Sequence, residues 1–271
     1  MTSVVIAAHN EAAVIGRCLD ALLTDPTAGP LDIVVAANGC TDDTAAHAAR
    51  RPGVQVLELA AASKPAALNA ADAVAQHFPR IYLDADIVLP PGSIRALADA
   101  LAQPPALATM PARDFDLSGR PLAVRAFYAI NRHLPVYRTA LFGRGVIALS
   151  AEGRARFANF PDLTADDLFL DGLFEPEEKQ QVDTVQARIA TPRRTRDLVR
   201  RLARVRAGNR TMRASAAPVR SASNTSWLTD VVLRKPWLAP AGVGYVAVIA
   251  AAELTARRSN LGWGHDLSSR S

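Results

Sequence analysis

Four short apolar runs, each followed by a polar loop and then by helical periodicity, mark the first hundred residues. Ser3 to Ala8, SVVIAA, has no polar alternation and suits a strand buried on both faces. After His9-Asn10-Glu11, the residues Val14, Ile15, Cys18, Leu19, Leu22 and Leu23 fall on one face at helical spacing. Leu31 to Ala36 is the second strand and leads into NGCTDDT, where Thr41 is placed to cap a helix with Asp42 and Asp43 in its first turn. Val54 to Leu59 is the third, followed by Ser63-Lys64-Pro65 and a helix carrying Leu68, Ala71 and Val74. The fourth lies in RIYLDADIVLPP, residues 80 to 91. Strand and helix alternating at intervals of roughly 25 residues predict an α/β fold, a mostly parallel central sheet with helices on both faces. Ligands of such sheets bind at the carboxyl ends of the strands. His9-Asn10-Glu11, Asn38, Lys64 and Asp84/Asp86 are all expected at that edge.

The second half is less regular. A strand is expected from Leu107 to Arg113 and a helix over the aromatic and Arg-containing stretch Leu122 to Tyr137. In LFGRGVIALS, Gly143 and Gly145 bracket Arg144 ahead of an apolar run, which reads as a bulge, a close backbone approach to a ligand, or a plain turn. Asp166-Asp167 precede the helical pattern of Leu168, Phe169 and Leu170, with Thr164 as a candidate cap. Leu198, Val199, Leu202 and Val205 share one face of a later helix whose remainder is arginine. Residues 215–224 turn to Ser, Ala and Pro, the composition of a linker. Residues 236–252 are free of charge for 17 positions between Arg234-Lys235 and Arg257-Arg258. Two Pro and two Gly near the start of this run make it a poor spanning helix. It is expected to pack on the domain or to touch a membrane peripherally. The expected domains are a catalytic region 1–214, with halves 1–103 and 104–214, and a linker with a helical C-terminal extension, 215–271.

Charge changes this picture only locally. The net charge is +5, but Arg188 to Arg220 holds 11 Arg against Asp197, and Asp162 to Asp183 holds eight acids against Lys179. The basic block suits phosphates or an anionic surface. Aromatics are 6% of the chain and are not interleaved with the arginines, which counts against a nucleic-acid partner. Cys18 and Cys40, the only cysteines, are too few for a disulfide framework, and no leader precedes the first strand, so a cytoplasmic site is expected.

Asp84-Ala85-Asp86 places two carboxylates where the chain leaves the sheet. Such a pair can share a divalent cation, Mg²⁺ or Mn²⁺, with the oxygens of a diphosphate; a turn or a helix cap would use the same residues. No GxGxxG follows the first strand and no P-loop lysine motif occurs, which argues against a dinucleotide oxidoreductase or a nucleoside triphosphatase. A diphosphate bound here would need its counter-charge from a cation.

In order and spacing, VVIAAHNEAAVIGRCLDALL, IVVAANGCTDDT, SKPAALNAA and IYLDADIVLPP resemble the nucleotide-sugar-binding half of the family-2 glycosyltransferases, and the resemblance runs to about Gly208. It implies the A-type glycosyltransferase fold and inverting transfer from a nucleoside-diphosphate sugar to a glycan, lipid or small-molecule acceptor. It also implies donor contacts from Asn10, Glu11, Asn38, Lys64 and Asp84, with Asp86 the more direct metal ligand beside Asp84. Asn38 stands where the family usually has an acid. Asp167 matches the usual catalytic base and Asp166 its supporting neighbour. A carboxylate in that place can take the proton of the acceptor hydroxyl as its oxygen attacks. Arg204 matches an arginine of the family's QRxRW motif and would contact the leaving diphosphate. Arg201 and Val205 replace the motif's Gln and Trp, so processive polymer synthesis is not expected.

Two other readings stand beside this one. A sugar-nucleotide-forming nucleotidyltransferase would share the α/β design but would carry a Gly-rich basic loop after its first strand, which His9-Asn10-Glu11 is not. A non-catalytic, membrane-peripheral binder of sugar nucleotides would have little use for both acidic pairs.

Overall fold

The computed structural model describes residues 1–162, 165–214 and 225–258. They divide by packing into two units, one from residues 1–114 and 141–188 and the other from residues 115–140 and the described residues between 189 and 258.

The first unit is built on parallel strands β1 (Thr2–Ala8), β2 (Leu31–Asn38), β3 (Val54–Leu59) and β4 (Arg80–Leu83). Helices α1 (Ile15–Leu23), α2 (Thr44–Ala49), α3 (Lys64–Val74) and α4 (Ser93–Leu101) follow them in turn. Strands β5 (Ala108–Asp116), β6 (Val146–Leu149) and β7 (Lys179–Ala190) complete a seven-stranded sheet of order β3-β2-β1-β4-β6-β5-β7. The sheet is parallel from β3 to β4, as the uninterrupted apolar runs predict: Val5 lies level with Val34 on one side and Tyr82 on the other. Val4, Val5, Ile6, Ile33, Val34 and Val35 are all buried, because helices cover both faces.

Strand β6 runs antiparallel to β4, with Leu83 opposite Val146. That reversal brings the segment just before β6 against the carboxyl end of β4.

Two short helices, α6 (Ala151–Arg154) and α7 (Asp166–Gly172), follow β6. Arg154, Phe160 and Asp166 meet α3 in the opposite sense, fastening this stretch to it at three places. Arg154 Nε donates to Asp72 Oδ2 at 2.6 Å. Asn69 gives its Nδ2 to Phe160 O at 3.0 Å and accepts Phe160 N at 2.7 Å. Lys64 pairs with Asp166 at 3.0 Å. Asp72 is the anchor of this side. Its carboxylate is 5% exposed and also receives Arg80 and, at 2.9 Å, the Tyr82 hydroxyl.

The second unit is helical. It contains α5 (Leu122–Asn131), α8 (Thr195–Ala214), a π-helical turn Trp227–Val232 and α9 (Ala239–Arg258). Its core joins Val124, Phe127 and Tyr128 of α5, Leu198 of α8 and Val248 of α9. Phe127 stacks on Tyr245 at 5.2 Å. Glu253 receives Arg206 at 3.1 Å and Arg257 at 2.9 Å.

Several expectations change. The helix expected to Tyr137 ends at Asn131, with a separate 3₁₀ turn from Pro135 to Arg138, because Pro135 cannot continue the hydrogen-bond ladder. Helix α2 begins at Thr44 rather than behind a Thr41 cap, since Thr41 N–H and hydroxyl both turn to Asn10 Oδ1, at 2.8 and 3.3 Å. Strand β7 was not expected. The C-terminal helix does not stand apart from residue 215 onward; one side of it packs on α5 and α8, so the second unit draws on two earlier stretches. Its Pro and Gly do not interrupt it, and Pro236–Arg257 is, by length and composition, long and apolar enough to cross a membrane. The Ser/Ala/Pro stretch 215–224 and Thr164 lie outside the described residues.

Asp72→Ala should cost about 3–5 kcal/mol, since it strands two buried or half-buried guanidinium groups without their anion. Urea denaturation of the variant against the parent protein measures it, and a loss under 1 kcal/mol would contradict the anchoring role.

Candidate active site

A cleft opens at the carboxyl end of β4, walled by Lys64, Asp84, Gly145, Asp166 and Asp167, with Tyr82 among its apolar lining. Lys64 begins α3, where Ser63 caps the helix by accepting Ala66 N at 3.3 Å and Pro65 occupies the first turn. From that position its ammonium lies 3.0 Å from Asp84 Oδ1 and 3.0 Å from Asp166 Oδ2. Burial works against the ammonium charge, but Asp166, Asp84 and Asp167 outweigh it and hold the lysine well above its usual pKa.

The carboxylates show the reverse. Burial, with Asp84 adding to it against the pull of Lys64, raises Asp166. Asp167 is pushed up to about 6, first by burial and then by the neighbouring Asp166. One lysine therefore faces three acids, and the surplus negative charge is carried as a reluctance to ionise.

Two backbone groups of the loop before β6 fix the acids. Gly143 N–H donates to Asp167 Oδ2 at 2.9 Å, and Asp84 N–H donates to Gly145 O at 2.8 Å. Both glycines have positive φ, +71° and +70°. At Gly145 a Cβ would stand 2.6 Å from Ile87 Cγ1 and 3.1 Å from Asp84 Oδ2, so a side chain there would enter the acid's own space. Arg144 between them is 1% exposed and donates to Pro111 O. The glycine-bracketed loop is thus a close backbone approach, and it holds both acidic segments at once.

Asp86 is exposed, two residues beyond Asp84 across buried Ala85. With Glu11 it contributes to a common negative field. The buried Cys18 thiol is pushed up to about 12 by burial, then by Asp86, Asp84 and Glu11. Asn10, Glu11 and Asn38 form a second group at the ends of β1 and β2. Asn10 adopts a left-handed conformation, φ 53°, which an Asn tolerates, and ties the first loop to Thr41. Glu11 is buried and its N–H donates to Thr44 Oγ1 at 2.7 Å. Asn38 is 1% exposed and donates Nδ2 to Ala8 O at 2.9 Å, while its Oδ1 is buried without a hydrogen-bond partner. Arg204 is half-buried on α8 of the second unit.

Among the described residues no three His, Cys, Asp or Glu side chains form a metal cage by themselves. The donor chemistry nevertheless fits a hard divalent cation. Asp84 and Asp86 are the residues that would supply carboxylate oxygens, beside a cleft with more acids than bases, and Mg²⁺ commonly takes one or two carboxylates and completes its shell with phosphate oxygens and water.

A sequence profile of the glycosyl transferase family 2 matches residues 3–145. No curated protein sequence matches the chain. A mannosyltransferase of Pyrobaculum calidifontis, solved with GDP-Man and Mn²⁺, superposes with a TM-score of 0.62 at 22% identity over 96% of this chain and 76% of its own. Glucosyl-3-phosphoglycerate synthase of Mycobacterium tuberculosis, solved with phosphoglyceric acid, gives 0.55 at 20% identity over 79% of each chain. S. aureus TarS 1-349 gives 0.54 at 13% identity over 95% of this chain and 92% of its own. Likeness at these identities is likeness of fold.

The carboxyl of Asp167 should titrate near pH 6 in the ligand-free protein, followed by carboxyl-carbon NMR. Asp166→Asn removes a neighbouring negative charge and should move that titration to lower pH. An upward or absent shift would show that Asp166 is not a source of the perturbation.

Proposed function

The chain belongs to glycosyl transferase family 2 and is a glycosyltransferase; we propose that it transfers a sugar, with inversion, from a nucleoside-diphosphate donor to a hydroxyl of a glycan, lipid or small molecule. The observation that carries this reading is the position of Lys64, 3.0 Å from an acid of the donor side, Asp84, and 3.0 Å from Asp166, the neighbour of the base. Donor-side charge and base then share one cleft.

Asp167 takes the proton of the acceptor hydroxyl as its oxygen bonds to the anomeric carbon and the bond from that carbon to the diphosphate breaks. Its raised pKa suits it to this work, because a base titrating near neutrality combines ionisation at working pH with appreciable basicity. The Gly143 N–H holds Oδ2, which aims the carboxylate. Asp166 orients Lys64, and Lys64 brings positive charge to the phosphates. Asp86, with Asp84, holds Mg²⁺ or Mn²⁺, which when bound offsets the negative charge of the departing diphosphate. Asn10 and Glu11 shape the nucleoside end. Asn38 shapes the base end through the backbone of β1, since its Nδ2 is committed to Ala8 O and its Oδ1 is buried. The reaction takes place in the cytoplasm, beside the inner face of the membrane, a placement supported by the apolar length of α9.

Asp167→Asn should lower transfer by about 10²- to 10⁴-fold while leaving donor affinity intact. Asp86→Ala should remove the dependence of donor binding on Mn²⁺. Nucleoside-diphosphate release and calorimetric donor titrations read the two effects separately. Near-normal turnover in Asp167→Asn would remove the base assignment, and pyrophosphate release from a nucleoside triphosphate would make the enzyme a nucleotidyltransferase instead.

A further inference from the structure

The two units have opposite charge. The second carries 19 Arg and Lys against five Asp and Glu, a formal +14, whereas the first carries 12 against 21, a formal −9. The basic unit also presents an apolar surface. On α9, Val243, Val246, Ala250 and Leu254 recur at three- and four-residue steps and are exposed, Val243 by 74% and Leu254 by 53%. The opposite side of the helix, with Val248 and Ile249, packs into the core of the unit. Trp237, in the turn that leads into α9, is 72% exposed.

A surface helix of a water-soluble fold normally turns charged residues outward. Here no charged residue occurs between Lys235 and Glu253. The ends of the apolar stripe are basic, with Arg234 exposed before it and Arg257 69% exposed after it. An exposed Trp beside Lys and Arg is the pattern that settles at the boundary of headgroups and acyl chains.

We propose that the α9 face is a docking surface for an anionic phospholipid bilayer, on which the helix lies in the plane of the interface with Val243, Val246 and Leu254 turned into the acyl boundary. It rests on, and deepens, the reading of the enzyme as one that works beside the membrane. Charge selects this occupant. A second copy would bring two +14 units together, while an anionic leaflet complements the basic residues at both ends of the stripe. Lying flat, rather than crossing, keeps Glu253 with Arg206 and Arg257 and keeps Val248 in the core.

Vesicle co-sedimentation of the full chain, without sugar donor, tests this. The protein should partition to phosphatidylcholine vesicles containing phosphatidylglycerol and not to phosphatidylcholine alone. Val243→Glu with Val246→Glu should weaken partitioning by about tenfold or more, and Arg234→Ala with Lys235→Ala by about 30-fold, both with unchanged circular dichroism. The parent protein, which needs no substitution to fold, should also lose binding between about 0.1 and 0.5 M salt as the charges are screened. Equal binding to neutral vesicles, salt-independent binding, full binding by the Glu variant, or no vesicle binding together with a dimer that Val243→Glu dissociates would each overturn the proposal. Release of nucleoside diphosphate from sugar donors, measured in parallel with water-soluble and lipid acceptors, separates the outcomes. Transfer without vesicle binding removes the docking surface alone, and vesicle binding without transfer removes the reaction alone.

Discussion

A single ammonium group holds the site together. Lys64 lies between carboxylates from strand ends and helices that are far apart in sequence, and it cannot satisfy them all as full anions. The cost appears as raised carboxyl pKa values and as an appetite for additional positive charge. Strand β4 with its following turn, the start of α3 and the start of α7 are each placed so that this one cation is within reach. The same deficit suits the hard-ion role proposed for Asp84 and Asp86: a cleft poorer in positive than negative charge favours a divalent ion before it favours a diphosphate.

The antiparallel insertion of β6 makes the two acidic segments answer to one another. In an all-parallel sheet the carboxyl end of β4 would face the ends of its neighbours. Here it faces the beginning of β6, and the loop entering that strand gives one carbonyl to Asp84 and one N–H to Asp167. The distance between the two acids is thereby set by main-chain geometry across Gly143, Arg144 and Gly145. Backbone groups cannot change rotamer, so this is a stiffer ruler than a side-chain contact would be.

The parallel half was legible because each element there declares itself locally. Buried runs such as SVVIAA carry their own period, and Ser63 and Pro65 announce α3. Strand β7 was hidden because its outward positions are Gln, Asp, Thr and Arg, and only Val185, Ala187 and Ile189 alternate inward. The acid-rich block around it shows in the sequence only as a charge count, yet its single base, Lys179, is 1% exposed and pairs at 3.1 Å with fully buried Asp171. The acids of the site could be named from sequence, with the help of the family's motifs, but their mutual arrangement could not. Lys64 and Asp166 are 102 positions apart, and no local pattern encodes a distance of that kind. Asn38 shows the limit from the other side: its place at the end of β2 was evident, whereas the commitment of its amide to Ala8 depends on the register of two paired strand ends.

The three fastenings along α3 also impose an order on synthesis. Asp72, Asn69 and Lys64 are all made early, and their partners Arg154, Phe160 and Asp166 arrive in the reverse order along the helix. As the chain leaves the ribosome, Asp72 first has only Arg80 and Tyr82 for company, and then α6 delivers Arg154. Closure proceeds from there as a zipper toward the start of α3, and the last tooth is the ion pair at Lys64. Domains fold largely as they emerge. The cleft is therefore completed after the anchor and before β7 is made, and a nascent chain stopped short of Asp166 would hold β1 to β6 and its anchor but not its chemistry.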